Sequence, residues 1–127
     1  MCIIGHGIDV VDVARIKAML ADHGQHFTER CFTAGERGYA DDSQKRRAER
    51  YAARFAAKEA VLKALGTGLR DGISWREMEI AIEPSGRPVL HVTGRCAELA
   101  RQRGITTWQV SLSHTDRTAV ASVIGCG

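Results

Sequence analysis

Residues 54–68 read RFAAKEAVLKALGTG, and the helix they encode organises the rest of the chain. Alanine and leucine are strong helix formers, no proline interrupts, and GTG at 66–68 supplies the glycine that closes a helix with a left-handed turn. Extended upstream, the helix is expected from about Ser43 to Leu65. At 100° per residue, Ala53, Ala56, Ala57, Ala60 and Ala64 form a strip of small side chains suited to close packing. Phe55, Val61, Leu62 and Leu65 bring bulk on the other side, and Glu59 and Lys63 fall between, at the edge of buried surface. Lys58 is a third charge among apolar neighbours.

Upstream, Ile3 to Asp9 alternates around Gly5 and Gly7 and reads as a strand ending at Asp9. Asp12 is placed to cap a following helix with buried stripe Val13, Ile16, Met19 and Leu20, ended by Gly24. Thr33 and Glu36 have capping-box spacing for a further short helix. Downstream the period changes from 3.6 to 2. EMEIAIE and PVLHV joined by PSGR predict an antiparallel hairpin, and GRCAELARQRG predicts a helix between Thr93 and Gly104. TWQVSLSHTDRTAVASVIG predicts two more strands turning near Asp116. The sum is an α+β fold: a single domain over residues 1–127 in which an antiparallel sheet packs against a long helix.

The length of 127 residues and a 44% hydrophobic content suit one compact core. No apolar run approaches the roughly 20 residues of a membrane helix, and MCIIGHGIDVV lacks the features of a signal peptide. A cytoplasmic protein with no membrane partner is expected. Cys2, Cys31, Cys96 and Cys126 are scattered without a CxxC pair, which argues against both zinc and a disulfide framework. The formal charge is +3, but QKRRAERYAAR concentrates the basic residues, so an acidic partner is favoured. Nucleic acid is disfavoured, because Tyr51 is the one aromatic in that segment and such binders interleave aromatic or amide readers with their charges.

Two readings fit Glu59 and Lys63. They form an i,i+4 ion pair worth about 0.2–0.5 kcal/mol, or they are half of a site in which a carboxylate holds a hard cation and an ammonium meets phosphate. A second carboxylate favours the latter, and Asp9 in GHGIDVV is the candidate, although a strand-end Asp also serves turns and caps. In SLSHTDR, the end of a strand presents Ser113, His114 and Thr115, whose hydroxyls, imidazole and backbone N–H groups could receive an anion. A turn histidine is the plainer alternative. Arg46, Arg47, Arg50 and Arg54 share an arc of about 100° on a continuous helix, well away from Glu59 and Lys63. One subunit can hardly aim both sets at one ligand, which points to a neighbouring subunit completing the site; a solvated helix face is the simpler alternative for the arginines.

GIDVVDVARI at 7–16, RFAAKEAVLKALGTG at 54–68, GRP at 86–88 and VSLSHT at 110–115 together resemble the holo-acyl-carrier-protein synthases, the small 4'-phosphopantetheinyl transferases, over nearly the whole chain. The resemblance implies transfer of phosphopantetheine from coenzyme A to a serine of apo acyl carrier protein, with 3',5'-ADP leaving, as in fatty-acid biosynthesis. It implies Mg²⁺ held by Asp9 and Glu59, with Lys63 on phosphate as a third catalytic residue. Glu59, or a water held by the metal and a carboxylate, would take the serine proton. Arg54, Lys63, Gly66, His114 and Thr115 would bind coenzyme A phosphates, and Arg15 would dock the carrier protein. The family also implies a homotrimer with sites at subunit interfaces.

Overall fold

A computed structural model describes residues 2–127. The order is β1 (Ile3–Asp12), α1 (Val13–His23), α2 (Gln25–Cys31), α3 (Ala34–Asp41), α4 (Arg47–Leu65), two single turns of 3-10 helix, β2 (Met78–Ile82), β3 (Pro88–Val92), α5 (Gly94–Gln102), β4 (Thr107–His114) and β5 (Thr118–Cys126). β5 lies between β1 and β4 in an antiparallel three-stranded sheet, and β2 and β3 form a separate hairpin. The predicted α+β architecture holds, with its strands divided between two sheets.

α4 is the axis of the molecule. From Tyr51 to Leu65 every residue is buried except Glu59 and Lys63. A helix apolar on nearly all sides belongs inside a core, where Phe55, Val61, Leu62 and Leu65 each contribute about 1.5–3 kcal/mol by leaving water. The alanine strip lets β1 come close: a Cβ on Gly5 or Gly7 would overlap the backbone carbonyl of Ala64 or Ala60. Gly66 closes the helix at φ 70°, and its N–H donates to the Lys63 carbonyl.

Several expectations change. α4 begins at Arg47 rather than Ser43, because residues 44–46 form a turn in which the Ser43 hydroxyl accepts from the Arg46 N–H. Asp12 occupies the N-cap of α1, but its side chain accepts no capping hydrogen bond. β1 continues to Asp12 because its ladder with β5 runs on to Asp12↔Thr118. α2 was not expected; it brings Phe27 edge-on to Phe32, with ring centroids 5.7 Å apart. The Thr33–Glu36 capping box forms as predicted.

Candidate active site

Gly7, Asp9 and Val11 share the face of β1 that meets α4. Asp9 therefore reaches the helix from mid-strand, opposite Ala121, and not from a strand end as its sequence neighbours suggest. Lys63 Nζ, on α4, donates to Asp9 Oδ1 at 2.8 Å and to the Ile8 carbonyl at 3.0 Å. The hydrogen bond and charge of Asp9 hold the Lys63 pKa above its ordinary value. Glu59 is half-buried one turn earlier; burial first, and then the charge of Asp9, raises its pKa, with Lys63 and Arg15 opposing.

Two carboxylates close enough to disfavour each other's charge, at the edge of water, suit a hard divalent cation. Among the described residues no third His, Cys, Asp or Glu joins them. A metal held here would keep waters or ligand oxygens in its coordination sphere, as Mg²⁺ prefers when it meets phosphates.

A second cluster lies toward the start of α4. Tyr39, Arg46, Arg50, Arg54 and His114 line a cavity of about 340 Å³ whose lining includes none of Asp9, Glu59 and Lys63. Arg54 is 2% exposed, and its Nε and Nη2 have no hydrogen-bond partner. Burial draws its pKa down, yet a guanidinium remains charged in a protein. Tyr39 carries the Arg50 and Arg54 guanidinium groups over its ring, 4.2 and 4.3 Å from the centroid. A buried cation with two idle donors is costly unless an anion completes it, so the cavity has the chemistry of a phosphate site.

His114 closes β4, with Nδ1 3.1 Å from Glu49 Oε2. The Thr115 backbone N–H donates to the Thr118 carbonyl, and its hydroxyl oxygen accepts from the N–H groups of Arg117 and Thr118. That backbone donor, expected to await an anion, is spent on the turn; the hydroxyl proton is what Thr115 can offer. The Gly66 N–H is likewise committed to the helix end. Arg15 projects from α1 over Phe55, 5.6 Å from the ring centroid, beside a cavity of about 600 Å³ that Phe27, Phe55 and Trp75 help to line.

The profile of the 4'-phosphopantetheinyl transferase superfamily matches residues 5–123. The chain belongs to that superfamily. Among named relatives, a holo-[acyl-carrier-protein] synthase of Koribacter versatilis is 45% identical over 122 residues, 96% of this chain and 97% of that protein. The crystal structure of such a synthase from Neisseria meningitidis superposes with a TM-score of 0.89 at 32% identity, covering 99% of this chain and 100% of that one. One from Bacillus anthracis, solved in complex with CoA (3',5'-ADP), superposes with a TM-score of 0.80 at 35% identity over 97% of this chain and 96% of that one.

In this member of the transferase superfamily, Asp9, Glu59 and Lys63 form one group, and Arg54 and His114 line a separate cavity. Of the predicted arginine arc, Arg46, Arg50 and Arg54 line that cavity, while Arg47 turns away to pair with Asp41 at 2.8 Å. Sequence reasoning assigned nothing to the pair Lys58 and Glu36, both fully buried and 2.7 Å apart. Its signal was present: Lys58 stands three residues after Phe55 and four before Leu62, on the buried face.

Proposed function

We propose that this chain transfers 4'-phosphopantetheine from coenzyme A to a serine hydroxyl of apo acyl carrier protein, releasing 3',5'-ADP, in fatty-acid biosynthesis. The observation that carries the reading is the convergence of Asp9, Glu59 and Lys63 in a chain 45% identical to a holo-[acyl-carrier-protein] synthase. Residues 1–127 act as one phosphopantetheinyl transferase domain.

Asp9 and Glu59 would hold Mg²⁺, which when bound would neutralise pyrophosphate charge and support the leaving group. Lys63 then turns from Asp9 to a phosphate oxygen. The serine oxygen bonds to the phosphorus bearing pantetheine while that phosphorus loses its bridging oxygen to 3',5'-ADP. The serine proton passes to Glu59 or to a water beside it. With the pyrophosphate at the carboxylates, the ribose phosphate monoester of coenzyme A falls to Arg54 and His114, with Arg46 and Arg50 beside them and the Thr115 hydroxyl in the adjoining recess, while Gly66, at the Lys63 end of α4, falls to the pyrophosphate.

Arg15 docks the acidic carrier protein, an attraction that weakens as salt rises. A homotrimer with shared sites is supported by two observations. The cationic cavity and the carboxylates have separate linings, and the sheet face turned from α4 presents Ile8 at 55% and Val10 at 61% exposure. The reaction is placed in the cytoplasm, consistent with four free cysteines. The test is the intact mass of apo acyl carrier protein after incubation with coenzyme A, Mg²⁺ and this protein. A phosphopantetheine-sized gain that vanishes without metal is expected; no gain with folded protein and several carriers overturns the reading.

A further inference from the structure

Glu49 is the anomaly of the cationic cluster. Its carboxylate is 17% exposed, and Oε2 stands 3.1 Å from His114 Nδ1 and 3.9 Å from Arg46 Nη1. Glu49, Arg46, His114, Lys45, Thr115 and Asp116 line a shallow recess, and Arg46 and His114 also line the cavity that holds the unpartnered Arg54. On simple electrostatics a carboxylate here repels a phosphate. At N3 of α4 it also favours the helix dipole, a purely structural role worth about 0.3–1 kcal/mol.

We infer that Glu49 is a positioning residue for phosphate recognition: its carboxylate gathers His114, from the end of β4, and Arg46, from the start of α4, around the anion-binding cavity. The reasoning is geometric. His114 belongs to a different element from the arginines, and a ring at a strand end rotates unless one nitrogen is held. With Nδ1 3.1 Å from the Glu49 carboxylate, the ring is oriented with Nε2 left for a ligand, and a phosphate oxygen accepts from Nε2–H when the imidazole is protonated on both nitrogens. The same oxygen faces Arg46 Nη1 at 3.9 Å, so one carboxylate lies against groups from two different elements. Preorganisation of this kind cuts the ordering cost of binding and can exceed a screened repulsion at the surface.

The inference rests on the coenzyme A reading of the cavity, and it predicts a sign opposite to simple electrostatics. Binding of 3',5'-ADP, with adenosine 5'-monophosphate as the ligand lacking the 3'-phosphate, is measured by calorimetry for the wild type, Glu49→Gln, His114→Gln and the double variant. Glu49→Gln is expected to weaken 3',5'-ADP about five- to tenfold, the scale of one ordinary hydrogen bond, because it acts through His114 and not on the ligand, and to leave adenosine 5'-monophosphate unchanged. In the double variant the two losses should not multiply, because Glu49 acts through His114. Tighter or unchanged 3',5'-ADP binding in Glu49→Gln overturns the inference, as do fully multiplicative losses or equal weakening of both ligands. A wild type that ignores the 3'-phosphate, or a silent His114→Gln, overturns the underlying assignment of the cavity as well. Thermal melting of each variant separates a lost fold from a lost contact.

Discussion

At the scale of single residues, Glu59 and Lys63 are the two positions of α4 between Tyr51 and Leu65 that escape burial, and both face Asp9 or its charge. Asp9→Ala and Glu59→Ala should each lower turnover by at least about 100-fold with the circular dichroism spectrum unchanged, the scale of losing one preorganised charge contact. Mg²⁺ should raise the melting temperature of the wild type and of neither variant. Full activity in either variant removes the metal assignment. Lys58 has a different task. It donates to the Trp75 and Met78 carbonyls and pairs with Glu36, whose other oxygen accepts the Ile80 N–H. Burial lowers the Lys58 pKa, and the Glu36 charge opposes that shift. Lys58→Met strands a buried carboxylate and should cost about 3–5 kcal/mol in urea denaturation, part of which Lys58→Met with Glu36→Gln restores.

At the scale of elements, the approach of β1 to α4 sets the distance between the carboxylates. Gly7→Ala puts a methyl group onto the Ala60 carbonyl, so strand and helix must separate. A loss of about 1–3 kcal/mol and a smaller Mg²⁺-induced rise in melting temperature are expected together. Stability unchanged within about 0.5 kcal/mol would show that this contact does not constrain the site. α5 carries a pH effect. Burial, with the charge of Glu77, pushes the Cys96 thiol from 9.0 up to about 12. Its folded pKa lies above its unfolded one, so its contribution is complete below about pH 9 and lost as the pH rises toward 12. Stability should decline through that window, and Cys96→Ala should flatten the decline; parallel slopes for the two proteins would refute the assignment.

At the scale of the whole molecule, β5 is covered on one face by α4, while the opposite face leaves Ile8 and Val10 exposed beside half-buried Val120 and Ile124. Val10→Asp places a charge on the face we assign to assembly. It should yield monomers by sedimentation and, if sites are shared, lose turnover while remaining folded; an unchanged oligomer rules that face out.

Local patterns were legible wherever a residue's neighbours in sequence are also its neighbours in space. The α4 stripe, the Thr33–Glu36 box, the β2–β3 hairpin and the Gly66 stop are all read from spacing, and the motifs around Asp9 and Glu59 marked the candidate pair. What tertiary structure decided lies between distant segments. Asp9 meets Lys63 across 54 residues because two glycines let β1 lie on an alanine strip. Glu36 finds Lys58, and Glu49 finds His114, by the packing of α3 and β4 beside α4. The sequence alone determined which side chains carry charge and which helix face they share. Whether a charge is exposed, paired or left with idle donors, as in Arg54, depends on burial and on partners from other elements. Those are set when the chain closes on itself, because desolvation and Coulomb attraction act through space and take no account of order along the chain.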